Sequence, residues 1–358
     1  MKYFNEIFID KTKYGVKIQT GEYGKQGKHI IVDQGQNQIA GYTDREDGLF
    51  EEVPVIIFGD HTRVIKYIDQ PFFLGADGVK VLRSKDGNTD YKYLYYALKN
   101  VKIPNTGYNR HFKWLKESKI EYPDIKEQRK IVRILDKVSD IIQNRKRELS
   151  QLDDLVRARF VEMFGDPKIN PNHYLMSQLS KYITFLTSGS RGWAKYCTDD
   201  GSEWFITIKN VKDCHILVDN MQPVNAPDNA EAKRTKVQKG DLLISITADL
   251  GRTGVVTGEI AEHGAYINQH LTCIRLNQTV LNPLYVSYFM ESPAGKEQFE
   301  SKNQSAVKAG LNFNSINSLL IMVPPIELQN QFADFVQAID KSKLQYHPHT
   351  HTCQPNTS

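Results

Sequence analysis

A short pattern that occurs twice constrains the fold of this chain more than any other feature of its sequence. Proline is followed two places on by isoleucine and three places later by glutamine, at Pro123, Ile125 and Gln128. The same pattern returns 201 positions later, at Pro324, Ile326 and Gln329. The agreement covers about 27 residues and includes apolar positions on both sides: Phe112, Leu115, Ile120, Ile131, Leu135 and Val138 match Phe313, Ile316, Ile321, Phe332, Val336 and Ile339. This agreement indicates an internal duplication, so we expect two similar halves related by a pseudo-twofold axis.

The first copy of the pattern leads into a long stretch without glycine or proline, which ends at Gly165 and Pro167. Its apolar residues recur at spacings of three and four, which predicts one amphipathic helix with a narrow apolar stripe. About 38 residues at 1.5 Å each give a length of roughly 57 Å. A narrow stripe needs a partner helix, and the second copy supplies one, so we expect an antiparallel coiled coil. The residues expected to pair are Ile131, Leu135, Val138, Ile142, Leu149, Leu152 and Val156 in the first helix with Phe332, Val336 and Ile339 in the second.

Each helix is preceded by a longer segment that contains short β-branched runs, such as VPVIIFGD in the first and GDLLISIT in the second. Gly, Asp and Asn separate these runs, which is typical of strands joined by turns. The predicted fold class is therefore α+β, with two similar strand-rich domains joined by long helices. The predicted divisions are a strand-rich domain at 1–122, a helix at 123–166, a second strand-rich domain at 173–323, a second helix at 324–345 and a disordered tail at 346–358.

Composition points to an ordinary globular protein, since 40% of the residues are hydrophobic and 25% are charged. The N-terminal residues contain no apolar signal core and no stretch approaches 18 apolar residues, so a cytoplasmic location without membrane contact is expected. Cys197, Cys214, Cys273 and Cys353 form no CxxC pair, which favours reduced thiols over a metal or disulfide site. The tail also carries three histidines that we interpret as incidental, not as a metal site: His347, His349 and His351.

The sequence lacks the motifs that an enzyme of the common nucleotide-using or hydrolytic classes would need. No phosphate-binding GxxxxGK[ST] loop, GxSxG elbow, HExxH pair or EF-hand loop is present. The glycine-rich cofactor turn and the catalytic motif of a DNA methyltransferase are also missing. The Glu-x-Lys pattern found in magnesium-dependent nucleases occurs three times. That number is expected by chance in a chain with 46 basic and 42 acidic residues. We therefore predict no catalytic residues in this chain.

Clusters of amide and basic side chains in both strand-rich segments suit contact with DNA instead. Asn and Gln can pair with adenine edges and Arg with guanine, while Lys and small polar residues suit phosphates. The candidates in the first segment are Lys25, Lys28, Gln34, Gln36, Asn37, Gln38 and Tyr42. Those in the second segment are Ser190, Arg191, Trp193, Lys195, Lys209, Asn210, Lys233, Arg234, Asn268 and Gln269.

The chain resembles the DNA specificity subunits of type I restriction–modification systems. The resemblance rests on the two proline-to-helix boundaries, on KGDLLISITADLGRTG from Lys239 to Gly254, and on the opening from Lys11 to Thr43. It implies that residues 1–122 and 173–323 are target recognition domains, each reading one half of a split site in double-stranded DNA. It further implies that the helices set the spacing and dock two methyltransferase subunits, joined by restriction subunits. S-adenosylmethionine, ATP and magnesium would then be held by those partners, with no cofactor in this chain.

One departure from the family concerns the second helix, which is expected to end near Gln345 and so to be about half as long as the first. We therefore expect the stripe between Leu149 and Met163 to lack a partner within the chain. That part of the helix could pair with the same helix of a second copy of the protein or with a methyltransferase subunit, or it could leave the protein prone to aggregation.

Two other functions remain open at this point. A chain with its own methyltransferase or nuclease activity would transfer methyl groups or cleave DNA without added subunits. A coiled-coil scaffold with two protein-binding domains would show no DNA affinity that falls steeply with salt.

Overall fold

The computed structural model describes residues 1–75, 77–107, 109–303 and 310–346. It divides into two compact units, Met1–Asn144 and Arg145–Ser358, called unit 1 and unit 2 below. The three histidines of the tail and Cys353 lie outside the described residues.

The described residues of unit 1 form short strands and α-helices. The strands are β1 Lys2–Tyr3, β2 Phe8–Asp10, β3 His29–Val32, β4 Gly41–Thr43, β5 Val55–Gly59, β6 Ile65–Ile68, β7 Phe72–Leu74, β8 Val79–Ser84 and β9 Lys119–Ile120. The helices are α1 Phe4–Ile7, α2 Tyr91–Lys99, α3 Phe112–Lys116 and the start of α4 Ile125–Phe164. β5 is buried along its whole length because it lies between β8 and β6 in its sheet.

Unit 2 repeats this arrangement after the end of α4. Its strands are β10 Leu175–Gln178, β11 Ile183–Ser188, β12 Glu203–Ile206, β13 Val211–Lys212, β14 His215–Ile216, β15 Gln222–Val224, β16 Leu242–Ser245, β17 Thr253–Val255, β18 Ala265–Ile267, β19 Leu271–Leu276 and β20 Leu320–Val323. Its helices are α5 Ala230–Thr235, α6 Gly258–His263, α7 Pro283–Glu291, α8 Pro293–Lys302, α9 Phe313–Asn317 and α10 Ile326–Tyr346.

The two units share one sheet topology. The four-stranded sheet has the order β2-β8-β5-β6 in unit 1 and β11-β19-β16-β17 in unit 2, antiparallel throughout. The three-stranded sheet has the order β4-β3-β7 in unit 1 and β15-β12-β18 in unit 2, with the last pair parallel in each case. The predicted α+β class and the internal duplication are confirmed.

The glutamine of the repeated pattern makes the same bonds in both units. The Gln128 side chain accepts from the Asp90 backbone N–H at 3.0 Å and donates to the Pro123 carbonyl at 2.9 Å. Gln329 accepts from the Asn282 N–H at 2.9 Å and donates to the Pro324 carbonyl at 2.8 Å. Both glutamines are buried. The pattern therefore recurs because one buried amide fixes the start of each long helix against the N-terminus of α2 or α7.

Helix α4 spans 40 residues, or about 60 Å at 1.5 Å per residue. Its first half contributes Val132 to the core of unit 1, and its second half contributes Val156, Phe160 and Phe164 to the core of unit 2. The division at Asn144 consequently falls inside the helix, since each half packs with its own unit.

The expectation that the stripe from Leu149 to Met163 lacks a partner is wrong. Within unit 2, α10 runs antiparallel to this part of α4. Phe332 packs on Phe160 at a ring separation of 5.3 Å, and further along, the Lys343 ammonium lies 2.6 Å from the Asp153 carboxylate. Because α10 starts beside the C-terminal end of α4 and runs back along it, it covers the second half of α4 and leaves other apolar residues exposed. In the first half these are Ile134, Val138, Ile141 and Ile142, and in the second half Leu155 and Val161 lie on a face that α10 does not cover.

The helix-pairing residues therefore fall into three groups. Val156, Phe332 and Val336 are buried in the core of unit 2, and Ile339 packs against it. Ile131 and Leu135 are half-buried in unit 1, and Leu149 and Leu152 are half-buried in unit 2. Val138 and Ile142 are exposed.

Candidate nucleic-acid interface

In unit 2, several of the residues expected to contact DNA meet at one edge of the sheets. The Ser190 N–H donates to the Ile267 carbonyl at 3.0 Å, which places the loop after β11 beside the end of β18. The Asn268 N–H donates to the Ile206 carbonyl at 3.0 Å, which brings in the end of β12 and Lys209. Segments from three separate parts of the sequence thus come together.

The loop between β16 and β17 joins the same edge. The Thr247 hydroxyl and the His270 Nδ1 atom are 2.6 Å apart, and the Ile246 N–H donates to the His270 carbonyl at 3.0 Å. Gln269 lies next to His270, with its amide nitrogen 3.2 Å from the His270 Nε2 atom. The edge therefore presents hydroxyl, amide and imidazole groups beside basic side chains.

The corresponding edge of unit 1 is organised by Gln34. Its amide donates to the Asp77 carbonyl at 2.9 Å and accepts from the His61 N–H at 3.1 Å, while its own carbonyl accepts from the Thr62 hydroxyl at 2.6 Å. The loops after β3, β5 and β7 are held together by these bonds. Gln34 thus has a structural role, since both polar atoms of its side chain hold these loops together.

Three candidates in unit 2 are likewise structural. Trp193 is buried and stacks on Phe205 at 5.5 Å. The Asn210 side-chain oxygen Oδ1 accepts from the Thr207 N–H at 3.0 Å, which caps a short turn, and the Asn210 side-chain amide donates to the Leu217 carbonyl. Ser190 is buried, with its hydroxyl 3.3 Å from that of Thr235. These side chains shape the edge but do not face solvent.

Other candidates in unit 2 are exposed. Arg191 and Lys209 make no side-chain hydrogen bond or ion pair with the part of the chain that the structure describes. Lys195 lies over the Tyr196 ring at 4.8 Å, and Lys233 pairs with Asp228 at 3.0 Å. Arg234 donates to the Ser188 carbonyl at 2.8 Å, which ties α5 to the end of β11.

In unit 1, Gln36, Asn37 and Gln38 are exposed at the loop after β3. The Gln38 amide donates to the Tyr67 carbonyl at 2.7 Å. The structure does not place Lys25 and Lys28 with them, because both precede β3 and so lie at the opposite end of that strand. Lys28 instead pairs with Glu46 at 2.7 Å, and this hydrogen bond raises its pKa. Tyr42 is half-buried in β4 and packs on the core.

Two basic residues of this edge were not among the candidates. The Lys66 side chain is only 2% exposed; it donates to the Asn37 carbonyl at 2.5 Å and lies 3.5 Å from Asp33. Burial lowers the pKa of Lys66, and the charge of Asp33 partly opposes that shift. Arg63 follows β5 in the left-handed backbone region, and its guanidinium donates to the Ile103 carbonyl at 3.4 Å. Neither lies in a local sequence motif, so no signal in the sequence marks them.

No group of three or more metal-ligating side chains occurs among the residues that the structure describes. Within the same residues, no helix is long and apolar enough to cross a membrane.

Together, the duplicated fold and the two polar edges define a protein with two units of one topology joined by a long helix. The family model for the type I restriction modification DNA specificity domain matches residues 4–153 and again 222–349. The chain therefore belongs to the family of type I restriction–modification specificity subunits, and the resemblance seen in the sequence is confirmed. The subunits of this family are non-catalytic, in agreement with the expectation of a chain without its own active site.

Individual relatives agree with this assignment. The EcoR124I/EcoR124II specificity subunit of Escherichia coli is 23% identical over 352 residues, which cover 92% of this chain and 83% of that protein. A putative type I restriction enzyme MjaX specificity subunit of Methanocaldococcus jannaschii is 21% identical over 78% of this chain and 68% of that protein. The crystal structure of a type I S subunit from M. genitalium shares the fold with a TM-score of 0.57 at 17% identity, covering 96% of this chain and 90% of that one.

Proposed function

We propose that units 1 and 2 each read one half of a split site in double-stranded DNA. Each unit does so through its own polar loop edge, which has an equivalent in the other unit. The observation that carries this proposal is the recurrence of the same edge in two units of the same topology. Target recognition domains at 1–122 and 173–323 would account for it. Base contacts are assigned to Gln36, Asn37 and Gln38 in unit 1 and to the partly exposed Asn268 and Gln269 in unit 2, and phosphate contacts to the exposed Arg191 and Lys209.

The helices act as the spacer in this proposal. A helix of about 60 Å is nearly as long as two turns of DNA at about 34 Å each. Two methyltransferase subunits dock on the helical part, and restriction subunits join them. The partners hold S-adenosylmethionine, ATP and magnesium, and the complex works in the cytoplasm.

Removal of two basic side chains tests the proposal in unit 2. The double variant Arg191→Ala/Lys209→Ala is expected to weaken DNA binding at every sequence and to reduce the salt slope of the affinity by about 0.9 for each phosphate that the protein no longer neutralises. The measurement is fluorescence anisotropy of a labelled duplex at several salt concentrations, with the subunit reconstituted with its methyltransferase partner.

The matched control is Lys181→Ala. This exposed lysine precedes β11, and the loop that carries Arg191 follows the other end of that strand, about 20 Å away at 3.3 Å per residue. If the control and the double variant weakened DNA binding equally, this edge would not be the DNA-binding surface. A wild-type complex without any steep salt dependence would favour a scaffold role instead.

A further inference from the structure

A buried lysine lies beneath the loop at residues 33–38 of unit 1, called the reading loop below. Lys66 is in β6, and its side chain is only 2% exposed. Its ammonium group donates to the Asn37 carbonyl at 2.5 Å and lies 3.5 Å from the Asp33 carboxylate. Because Asp33 begins the reading loop and Asn37 lies near its end, one charged group in β6 holds both parts of the loop.

The burial of this ammonium group opposes the stability of unit 1. A buried charge is unfavourable unless a carboxylate and hydrogen bonds compensate for the lost water. Lys66 lies on the same face of β6 as Ile68, which belongs to the hydrophobic core formed by both sheets of unit 1. Burial lowers the pKa of Lys66 for the same reason. An apolar residue would suit this face better, so stability alone does not explain a lysine here.

The internal repeat shows how the same position is used in unit 2. Lys66 is the second residue of β6 and pairs with Ile57, as Gly254 is the second residue of β17 and pairs with Leu243. A Cβ atom at Gly254 would lie 2.7 Å from the His215 carbonyl oxygen, which is too close for any side chain. In unit 2, the segment after β12 is therefore supported by direct contact of its backbone with β17.

In unit 1 the corresponding segment is the reading loop after β3, and it is separated from β6 by the length of the Lys66 side chain. A cavity of about 530 Å³ borders the loop, with Gln36 and Gln38 on one wall and part of α2 on another. The Gln38 amide also reaches β6, where it donates to the Tyr67 carbonyl at 2.7 Å. With open space beside it, the loop depends on its bonds to β6 for its position.

We propose that Lys66 is a positioning residue for DNA recognition by unit 1, whose ammonium group holds the reading loop so that Gln36 and Asn37 face the bases. The proposal rests on the proposed function, because the loop has this task only if unit 1 reads DNA. The buried ammonium group neutralises no phosphate, so its loss should change the preferred sequence and leave the salt slope of the affinity unchanged. Recognition by unit 2 does not depend on a lysine at this position, since glycine replaces it there.

Selection from random duplexes by the reconstituted complex tests the proposal through the variant Lys66→Met. Methionine keeps the length and the burial of the side chain but cannot donate a hydrogen bond. The double variant Gln36→Ala/Asn37→Ala identifies the block of the wild-type motif that unit 1 reads, as the block that it weakens. Lys66→Met should erase the same block and keep the other one. A base change in that block, which costs the wild-type complex about tenfold in affinity, should cost the variant complex less than about twofold.

The selection separates failure of this proposal from failure of the proposed function. Two intact blocks with Lys66→Met, beside a wild-type motif of two blocks, would overturn the role of Lys66 alone. A wild-type complex that selects no bipartite motif would contradict the proposed function, and the role of Lys66 with it.

Two further measurements distinguish positioning of the loop from general support of unit 1. The urea midpoint of unit 1 should be unchanged or raised in Lys66→Met, because an apolar side chain replaces a buried charge. Hydrogen exchange of the reading-loop amides should become at least about tenfold faster, while the amides of β5 remain protected. A lowered urea midpoint with faster exchange in β5 would make Lys66 a support of the whole unit and contradict the proposal.

Lys85→Met is the matched control within unit 1. The Lys85 ammonium group also donates to a backbone carbonyl of another segment, that of Asn5 at 2.6 Å. β8 begins opposite Gly59, at the edge that carries the reading loop, and Lys85 follows its other end, about 20 Å away at 3.3 Å per residue. The control should keep both blocks and the wild-type exchange of the loop amides. Loss of the unit 1 block in Lys85→Met as well would show that any lost lysine bond has this effect, and the proposal would be wrong.

Discussion

Replacing Phe160 with alanine is expected to lower the free energy of unfolding of unit 2 by about 3–5 kcal/mol. The Phe160 side chain is 4% exposed and packs on the rings of Tyr285, Phe332 and Phe164, at 5.6, 5.3 and 5.0 Å. The substitution leaves a cavity where α4, α7 and α10 meet, and three rings lose a packing partner. Urea unfolding followed by circular dichroism measures the change.

The control for this prediction is Val161→Ala on the same helix. Val161 is 50% exposed, so the substitution should change the free energy of unfolding by less than about 0.5 kcal/mol. If Phe160→Ala lost less than about 1 kcal/mol, the second half of α4 would not be part of the core of unit 2.

Replacing Gln329 with leucine is expected to destabilise unit 2 by about 2–4 kcal/mol. Leucine has a similar shape but no polar atoms, so the Asn282 N–H and the carbonyls of Val280 and Pro324 lose their partner. Buried backbone groups without hydrogen bonds carry the full penalty of leaving water. The free energy of unfolding from urea titration is the measurement.

Gln337→Leu is the matched control, since Gln337 is exposed on the same helix and should tolerate leucine within about 0.5 kcal/mol. Gln128→Leu should reproduce the effect of Gln329→Leu in unit 1, because the two glutamines make equivalent bonds. Equal stability of Gln329→Leu and Gln337→Leu would mean that the repeated glutamine does not fix the start of α10.

The duplication and the long helix could be predicted from the sequence because both are local or periodic signals. The spacing of apolar residues defines a helix, and the recurrence of proline, isoleucine and glutamine defines the offset between the halves. The part of the stripe that remains exposed could not be predicted, since it depends on where α10 begins against α4. The sequence suggested the part between Leu149 and Met163, whereas the exposed pairing residues of the stripe are Val138 and Ile142.

The site residues were harder to predict because a polar side chain in a loop can face either solvent or its neighbours. Gln34 bonds to groups 27 and 43 positions away, and Asn210 bonds to Thr207 and Leu217. Composition alone does not distinguish the amides of Gln34 and Asn210 from those of Gln36 and Gln269. Lys66 was missed by the prediction for the opposite reason. A lysine in a strand is ordinarily exposed, whereas Lys66 is buried beneath the loop after β3.

Selection from a pool of random duplexes, with this subunit reconstituted with its methyltransferase partner, tests the central claim most directly. Light scattering and circular dichroism first establish that the complex is assembled and folded. The account predicts a bipartite motif, with two short conserved blocks separated by a fixed gap of unread base pairs. Enrichment of a single half-site repeated as a palindrome, or of no motif at all, would contradict the claim that each unit reads its own half of one site.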